Sequence, residues 1–285
     1  MFTVSVTENL VGKRTDKLLA EQLPQFPRAA LQKLFDKELV WLNEKITKPG
    51  IKVREGDKLK ADLSPLDIKI ADIDLPIIYQ DDDVLVINKP AGVISHARGR
   101  YFDEPSVASF VRQITHQPGD RAGIVHRLDR ATSGVMVCAK TQKALSWLQQ
   151  QFSTRKVTKT YMAVIRGEMP SPNGAVDMPI DRNPKVPKMF HVSESGKNAL
   201  THYKTVNFNG TYSLLKLQPE TGRTHQLRVH LHELKHPIVG DELYGGEPFV
   251  RLLLHASSLE ITLLDGERTI FTSALPPEFR NKLDV

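Results

Sequence analysis

Short β-branched and aromatic runs, set apart by turn residues, recur from residue 77 through the rest of the chain. Ile77-Ile78-Tyr79 and Val84-Leu85-Val86-Ile87 flank Asp81-Asp82-Asp83, a turn cluster, so a hairpin opens this region and Lys89-Pro90-Ala91-Gly92 closes it. Further strand patterns fall at 135–139, 161–165, 201–206, 212–217 and 259–263, with helical patterns at 106–114 and 141–148. Asn209-Gly210 and Asp265-Gly266 suit two-residue hairpin turns, which makes antiparallel neighbours of the later strands. The expected class is α+β with a mixed, largely antiparallel sheet. Residues 168–197 are rich in Pro, Gly and Asn without a clear period, and read as a long surface loop or a frayed hairpin.

The 285 residues are enough to bury a full-sized core in one or two domains, and the charge distribution favours two. Residues 12–60 hold twelve Lys/Arg against seven Asp/Glu, leaving 27 against 26 elsewhere, so nearly all of the net charge of +6 sits in one N-terminal segment. Within it, Leu18, Leu19 and Leu23 follow Thr15, a candidate N-cap, at helical spacing. Ala30, Leu31, Leu34 and Phe35 repeat the pattern after Pro27, which suits the first helical position. Val40-Trp41-Leu42 then reads as a strand, Asn43-Glu44 as a turn and Glu55-Gly56-Asp57 as a second reversal. Arg14, Lys17, Arg28 and Lys33 ride on or beside the two helices, where fixed cations suit the phosphates of a structured RNA. The lone Cys138 permits no intrachain disulfide, and there is no signal-like or membrane-spanning apolar run, so a soluble protein of the reducing cytoplasm is expected.

The most informative block is Gly123-Ile124-Val125-His126-Arg127-Leu128-Asp129-Arg130-Ala131-Thr132-Ser133-Gly134, which leads into the apolar run 135–139. An aspartate between two arginines is either a structural ion pair or an activated carboxylate, because flanking cations favour the ionised form and make it available as a nucleophile.

This block resembles the signature of the RluA-type pseudouridine synthases, in which His-Arg-Leu-Asp is followed by Thr-Ser-Gly. Further matches stand in order: Lys89-Pro90-Ala91-Gly92-Val93, Lys159-Thr160-Tyr161, residues 221–230 from Thr221-Gly222-Arg223-Thr224-His225-Gln226 to His230, His236-Pro237-Ile238-Val239-Gly240-Asp241, and Leu254-His255-Ala256. The N-terminal segment resembles the S4 RNA-binding domain through Arg14-Thr15-Asp16-Lys17-Leu18-Leu19, Arg28-Ala29-Ala30-Leu31-Gln32-Lys33-Leu34 and Val40-Trp41-Leu42-Asn43. The resemblance implies an S4-like domain over residues 1–70 and a catalytic domain over 71–285. It implies Asp129 as nucleophile, Tyr161 as the tyrosine that stacks on the base, Arg223 as the arginine paired with the aspartate, and Arg127 as a substitute for the flipped nucleotide. His126, Arg130, Thr224 and Gln226 join them as substrate-binding residues. The implied partner is structured RNA, ribosomal large-subunit RNA before tRNA. The reaction moves uracil from N1 to C5 attachment on the same ribose, so no cofactor and no metal are expected. Attack on the sugar, addition to the base and proton abstraction through a glycal all remain open roles for Asp129. Ala131, where acidic or polar residues are frequent in the family, and the segment Ala97-Arg98-Gly99-Arg100-Tyr101 depart from the common pattern.

Two other classes compete. His232-Glu233-Leu234-Lys235-His236 reads as H-E-x-x-H, the zinc-hydrolase pattern, although Pro237 directly behind it would end the helix and no third ligand stands out. A non-catalytic RNA-binding protein would share the basic segment but has no use for an activated aspartate.

Overall fold

The computed structural model describes residues 1–66, 72–96, 104–115 and 122–283. The chain divides into two compact units, one built on residues 1–66 and the other on residues 72–96 and 105–283. The expected boundary near residue 70 and the unusual segment 97–101 lie outside the described residues.

The first unit runs β1 (Phe2–Ser5), α1 (Thr15–Gln22), α2 (Arg28–Asp36), β2 (Val40–Leu42), β3 (Lys45–Ile46) and β4 (Lys58–Ala61). Its four strands form an antiparallel sheet in the order β1-β4-β2-β3. Leu18, Leu19, Leu31, Leu34 and Leu59 are buried between the sheet and the helix pair. Asn43 and Glu44 both take positive φ, 51° and 66°, as a tight hairpin turn requires. Two expectations need correction. Thr15 is the first residue of α1 rather than its cap, and its hydroxyl donates to the Lys48 carbonyl at 2.7 Å instead. Pro27 is the N-cap of α2, one position earlier than expected. Arg14 and Arg28 converge on Asp16, at 2.9 and 3.6 Å, while Lys17 stays exposed and Lys33 partly so.

The second unit continues with β5 (Ile77–Gln80), β6 (Val84–Lys89), α3 (Val107–Thr115), β7 (Ser133–Ala139), α4 (Gln142–Ser153), β8 (Thr158–Arg166), β9 (Asn173–Asp177), β10 (Ile180–Arg182) and β11 (Phe190–Val192). It ends with β12 (Leu200–Phe208), β13 (Tyr212–Pro219), α5 (Gln226–Glu233), β14 (Leu254–Thr262), β15 (Arg268–Thr272) and α6 (Pro277–Leu283). Among the described residues one large sheet runs β5-β6-β7-β14-β8-β13-β12-β9, with β15 added beside β14. The class is mixed α+β, and the pairing is antiparallel except where β14 meets β7.

Strand β7 is buried along its whole length, which is why its sequence is continuously apolar rather than alternating. Met136 and Cys138 face one core with Val107 and Phe110 of α3, and Val135, Val137 and Ala139 face the other with Ala144 and Leu148 of α4. The Val, Leu, Met and Phe side chains among them each contribute roughly 1.5–3 kcal/mol by burial. At the parallel junction Gly134 adopts φ +119°, and a Cβ there would lie 2.2 Å from the Ala256 carbonyl oxygen, so only glycine lets β14 approach this closely. Segment 168–197 is not one loop: it supplies β9 to the edge of the sheet and folds β10 with β11 into a separate hairpin. Among the described residues no helix is long and apolar enough to cross a membrane.

Candidate active site

Asp129 lies in the segment that precedes β7, and its neighbours are fastened at nearly every residue. Ala139 N–H donates to the Gly123 carbonyl at 2.8 Å, and Val137 N–H donates to His126 Nε2 at 3.1 Å. The Ser95 hydroxyl serves both sides of Leu128, donating to its carbonyl at 2.8 Å and accepting from its N–H at 3.1 Å. Gly92 N–H holds the Arg130 carbonyl at 2.8 Å, and Thr132 N–H closes a turn onto the Asp129 carbonyl at 3.1 Å. Lys89 is wholly buried beneath this segment, with Nζ donating to the carbonyls of Val93, Pro90 and Arg130 at 2.7, 2.9 and 3.2 Å. Burial lowers its pKa to about 7 against the attraction of Asp129. The Lys89-Pro90-Ala91-Gly92 block therefore acts as the underside of the Asp129 loop.

The facing wall is residues 221–228. Gln226 is buried and fully used: Oε1 accepts from Thr221 Oγ1 at 2.7 Å and from Arg223 N–H at 3.0 Å, while Nε2 donates to the Leu200 carbonyl and Thr201 Oγ1 at 3.0 Å. His225 takes a left-handed conformation, φ 56°, and opens α5. Arg228, three residues on, points back into the site. Its Nε and Nη2 bind Asp241 Oδ2 and Oδ1 at 2.7 Å each, and its guanidinium carbon sits 4.9 Å from the centre of the Tyr244 ring. Burial opposes the charge on Arg228, but the Asp241 hydrogen bonds and charge prevail and raise its pKa.

These walls enclose a cavity of about 460 Å³ lined by Asp129, Tyr161, His225 and Arg228 among others. Asp129 Oδ2 lies 3.9 Å from both Arg228 Nη1 and His225 Nε2. Tyr161, on β8, pairs with Leu217 on one side and Ala256 on the other, and burial followed by the Asp129 charge raises its phenol pKa, so it is protonated. Lys159 donates to the Thr221 carbonyl at 3.1 Å, and burial, then Arg155, lowers it to about 8. Arg127, Arg155, Lys159, Arg223 and Arg228 line the cavity against two acids, Asp129 and Glu220, an excess that suits a phosphate-bearing ligand.

Asp129, Tyr161 and Arg127 thus stand together, and Thr224 lies exposed on the rim. The structure places four other residues differently from the expectation. Arg223 lines the cavity, but its Nε donates to the Asn198 carbonyl at 3.0 Å; the arginine within ion-pair distance of Asp129 is Arg228. His126 uses Nε2 to accept from Val137, stacks on Phe152 at 4.7 Å and is lowered to about 3 by burial, then by Lys159, so it anchors the loop as a neutral ring. Gln226 has no amide capacity left for a substrate. Arg130 is absent from the lining and serves through its backbone carbonyl. Nothing in the sequence singles out His225, Asp241 or Tyr244, which the structure sets at or directly behind Asp129 and Arg228. The H-E-x-x-H reading fails on geometry: α5 ends at Glu233, Lys235 turns the chain with φ 66°, and His236 leaves the helix that bears His232. Among the described residues no cluster of three or more metal-ligating side chains is present.

The sequence and the fold match a known class. Residues 83–233 match the RNA pseudouridylate synthase family. The chain is 40% identical over 243 residues to an RNA pseudouridine synthase of Aquifex aeolicus, covering 82% of this chain and 77% of that protein. It is 35% identical to the ribosomal large subunit pseudouridine synthase D of Haemophilus influenzae, covering 100% and 94%. The solved structure of human RNA pseudouridylate synthase domain containing 1 superposes with a TM-score of 0.61 at 29% identity, over 73% of this chain and 86% of that one. The chain is an RNA-modifying isomerase and belongs to the RluA-type RNA pseudouridine synthase family.

Proposed function

We propose that this enzyme converts specific uridines of large-subunit ribosomal RNA to pseudouridine, with Asp129 as the essential carboxylate and the target base flipped into the cavity. The observation that carries the reading is the Asp129 carboxylate facing Arg228 at 3.9 Å, with Tyr161 of β8 lining the same cation-rich cavity. The choice of RNA rests on relatives named as ribosomal large subunit pseudouridine synthase D.

In the reaction the N1–C1′ bond breaks, uracil rotates, C5 bonds to C1′, and the proton at C5 is exchanged for one at N1. Every route needs an anionic carboxylate beside the ribosyl–uracil linkage, and a stacked uridine hides that linkage. Extruding the base costs a few kcal/mol. A base stacked on the Tyr161 ring recovers roughly 1–3 kcal/mol of that, and Arg127, exposed on the rim, is suited to fill the space left in the RNA. No cofactor takes part in this scheme. Residues 1–70 are proposed as an S4-like RNA-binding domain and 71–285 as the catalytic domain, with Arg14, Lys17, Arg28 and Lys33 contacting phosphates. The compartment proposed is the cytoplasm, in keeping with the single cysteine, Cys138, which is buried and pushed up to about 12.

Pseudouridine mapping of total RNA from a deletion strain, restored with wild type or with Asp129→Asn, tests the scheme. Sites in large-subunit RNA that only wild type restores are expected. Sites found instead in tRNA would move the substrate, and full restoration by Asp129→Asn would end the role of the carboxylate.

A further inference from the structure

His225 reaches Asp129 through one ring nitrogen and is held through the other. Its Nδ1 lies 2.8 Å from the Tyr244 hydroxyl, and its Nε2 lies 3.9 Å from Asp129 Oδ2. Tyr244 is 1% exposed, and its hydroxyl already accepts the Phe190 N–H at 2.9 Å. A phenol has one proton to give. With the Phe190 bond occupying its acceptor side, a buried hydroxyl avoids an unsatisfied proton by donating to His225 Nδ1. The neutral imidazole then carries its hydrogen on Nε2, toward the carboxylate. The opposite tautomer would set the Nε2 lone pair against the oxygens of Asp129.

Resting on the assignment of Asp129 as the catalytic carboxylate, we propose that Tyr244 is a positioning residue that fixes His225 as the Nε2–H tautomer, presenting a hydrogen-bond donor to Asp129. The surroundings agree. Burial lowers the pKa of His225 against the opposing pull of Asp129, with Arg228, Asp241 and Arg127 the other charges that bear on it, so the ring is neutral at pH 7. Its plane is held edge-on by Phe190 and Tyr244, both with ring centroids 5.6 Å away. The left-handed backbone at His225, φ 56°, is what turns the ring between Tyr244 and Asp129. Because Phe190 belongs to β11, the hairpin β10–β11 supplies the hydrogen bond that commits the Tyr244 proton.

Long-range proton–nitrogen correlation on the full-length protein labelled with nitrogen-15 histidine reads the tautomer directly. Wild type is expected to show His225 as Nε2–H. Tyr244→Phe keeps the ring that packs under Arg228 but removes the hydroxyl. It is expected to populate the Nδ1–H form and to lower kcat on a large-subunit ribosomal RNA transcript on the order of tenfold, about the worth of one hydrogen bond, with KM nearly unchanged. An Nδ1–H wild type overturns the proposal even if the variant fails to fold, and so does a folded variant with unmoved tautomer or unmoved kcat. Asp129→Asn, assayed in parallel, reports separately on the catalytic carboxylate: activity surviving there removes that assignment, while the tautomer spectrum still decides the role of Tyr244.

Discussion

Arg228 and Asp241 form a buried two-pronged pair, Nε to Oδ2 and Nη2 to Oδ1 at 2.7 Å each, and this leaves Nη1 as the guanidinium nitrogen aimed at Asp129, 3.9 Å away. The planar fork satisfies one carboxylate completely while offering an edge to a second, which an ammonium cannot do. Asp241 therefore determines where positive charge stands in the cavity without itself lining it.

Removing the prop exposes its worth. Asp241→Ala leaves Arg228 buried without its partner and should destabilise the fold by about 3–5 kcal/mol, with activity falling alongside. Equilibrium urea denaturation measures the first and turnover the second; a stable, active variant would show that Arg228 needs no support.

The two arginines of the 221–228 wall should separate kinetically. Arg228→Lys is expected to lower kcat on the order of 100-fold or more, because a preorganised donor is lost. Arg223→Ala, which gives up only a bond to the Asn198 carbonyl and a place in the lining, should act mainly through KM. Steady-state kinetics on one RNA transcript compares them, and a larger kcat loss at Arg223 would return the pairing role to that residue.

Acid should weaken the fold through two neutral histidines. His126 is lowered to about 3 and His255 to about 4, both mainly by burial. The unfolded chain, titrating near 6.5, takes up protons that the folded chain refuses. Stability present above about pH 6.5 is therefore lost as pH falls toward the folded values. Melting temperature followed from neutral pH to about pH 4 should drop, and less steeply in His126→Gln, whose amide oxygen can still accept from Val137 N–H. Parallel profiles for the two proteins would remove His126 from this account.

Charge reversal on the first unit should register in salt. Lys17 and Arg28 are exposed, and changing both to Glu is expected to weaken RNA binding and flatten its dependence on log salt by about one unit for each phosphate that the two cations neutralise in the wild type. An unaltered slope, with kcat at saturating RNA also unaltered, would place the RNA-binding surface elsewhere.

Much of this architecture was legible in the sequence because strand pairing leaves local marks. The Asp81–Asp83 turn and the Asn209-Gly210 and Asp265-Gly266 hairpins form where their residues indicate, and α4 starts where expected but runs on to Ser153 instead of stopping at 148. Helix α5 did not announce itself: its sequence, Gln-Leu-Arg-Val-His-Leu-His-Glu, is buried on most sides and starts from a left-handed His225 rather than a recognisable cap. Without that helix, Arg223 and Arg228 are two arginines of one motif, and nothing in their spacing says which faces Asp129. His126 and Gln226 misled for a related reason. Polar side chains inside a functional motif look alike in sequence, whether they meet a ligand or satisfy the backbone that shapes the site.

The buried ammonium of Lys89, with its three carbonyl acceptors, bears on how the enzyme and its RNA must divide the work of meeting. A loop held from below at Val93 and Arg130, and clamped by Ser95 at Leu128, has its backbone groups already bonded and little reason to rearrange for a nucleotide. The compliance has to come from the nucleic acid. Under the proposed function, such a site is best suited to uridines in loops and mispaired stems, where extruding the base costs least.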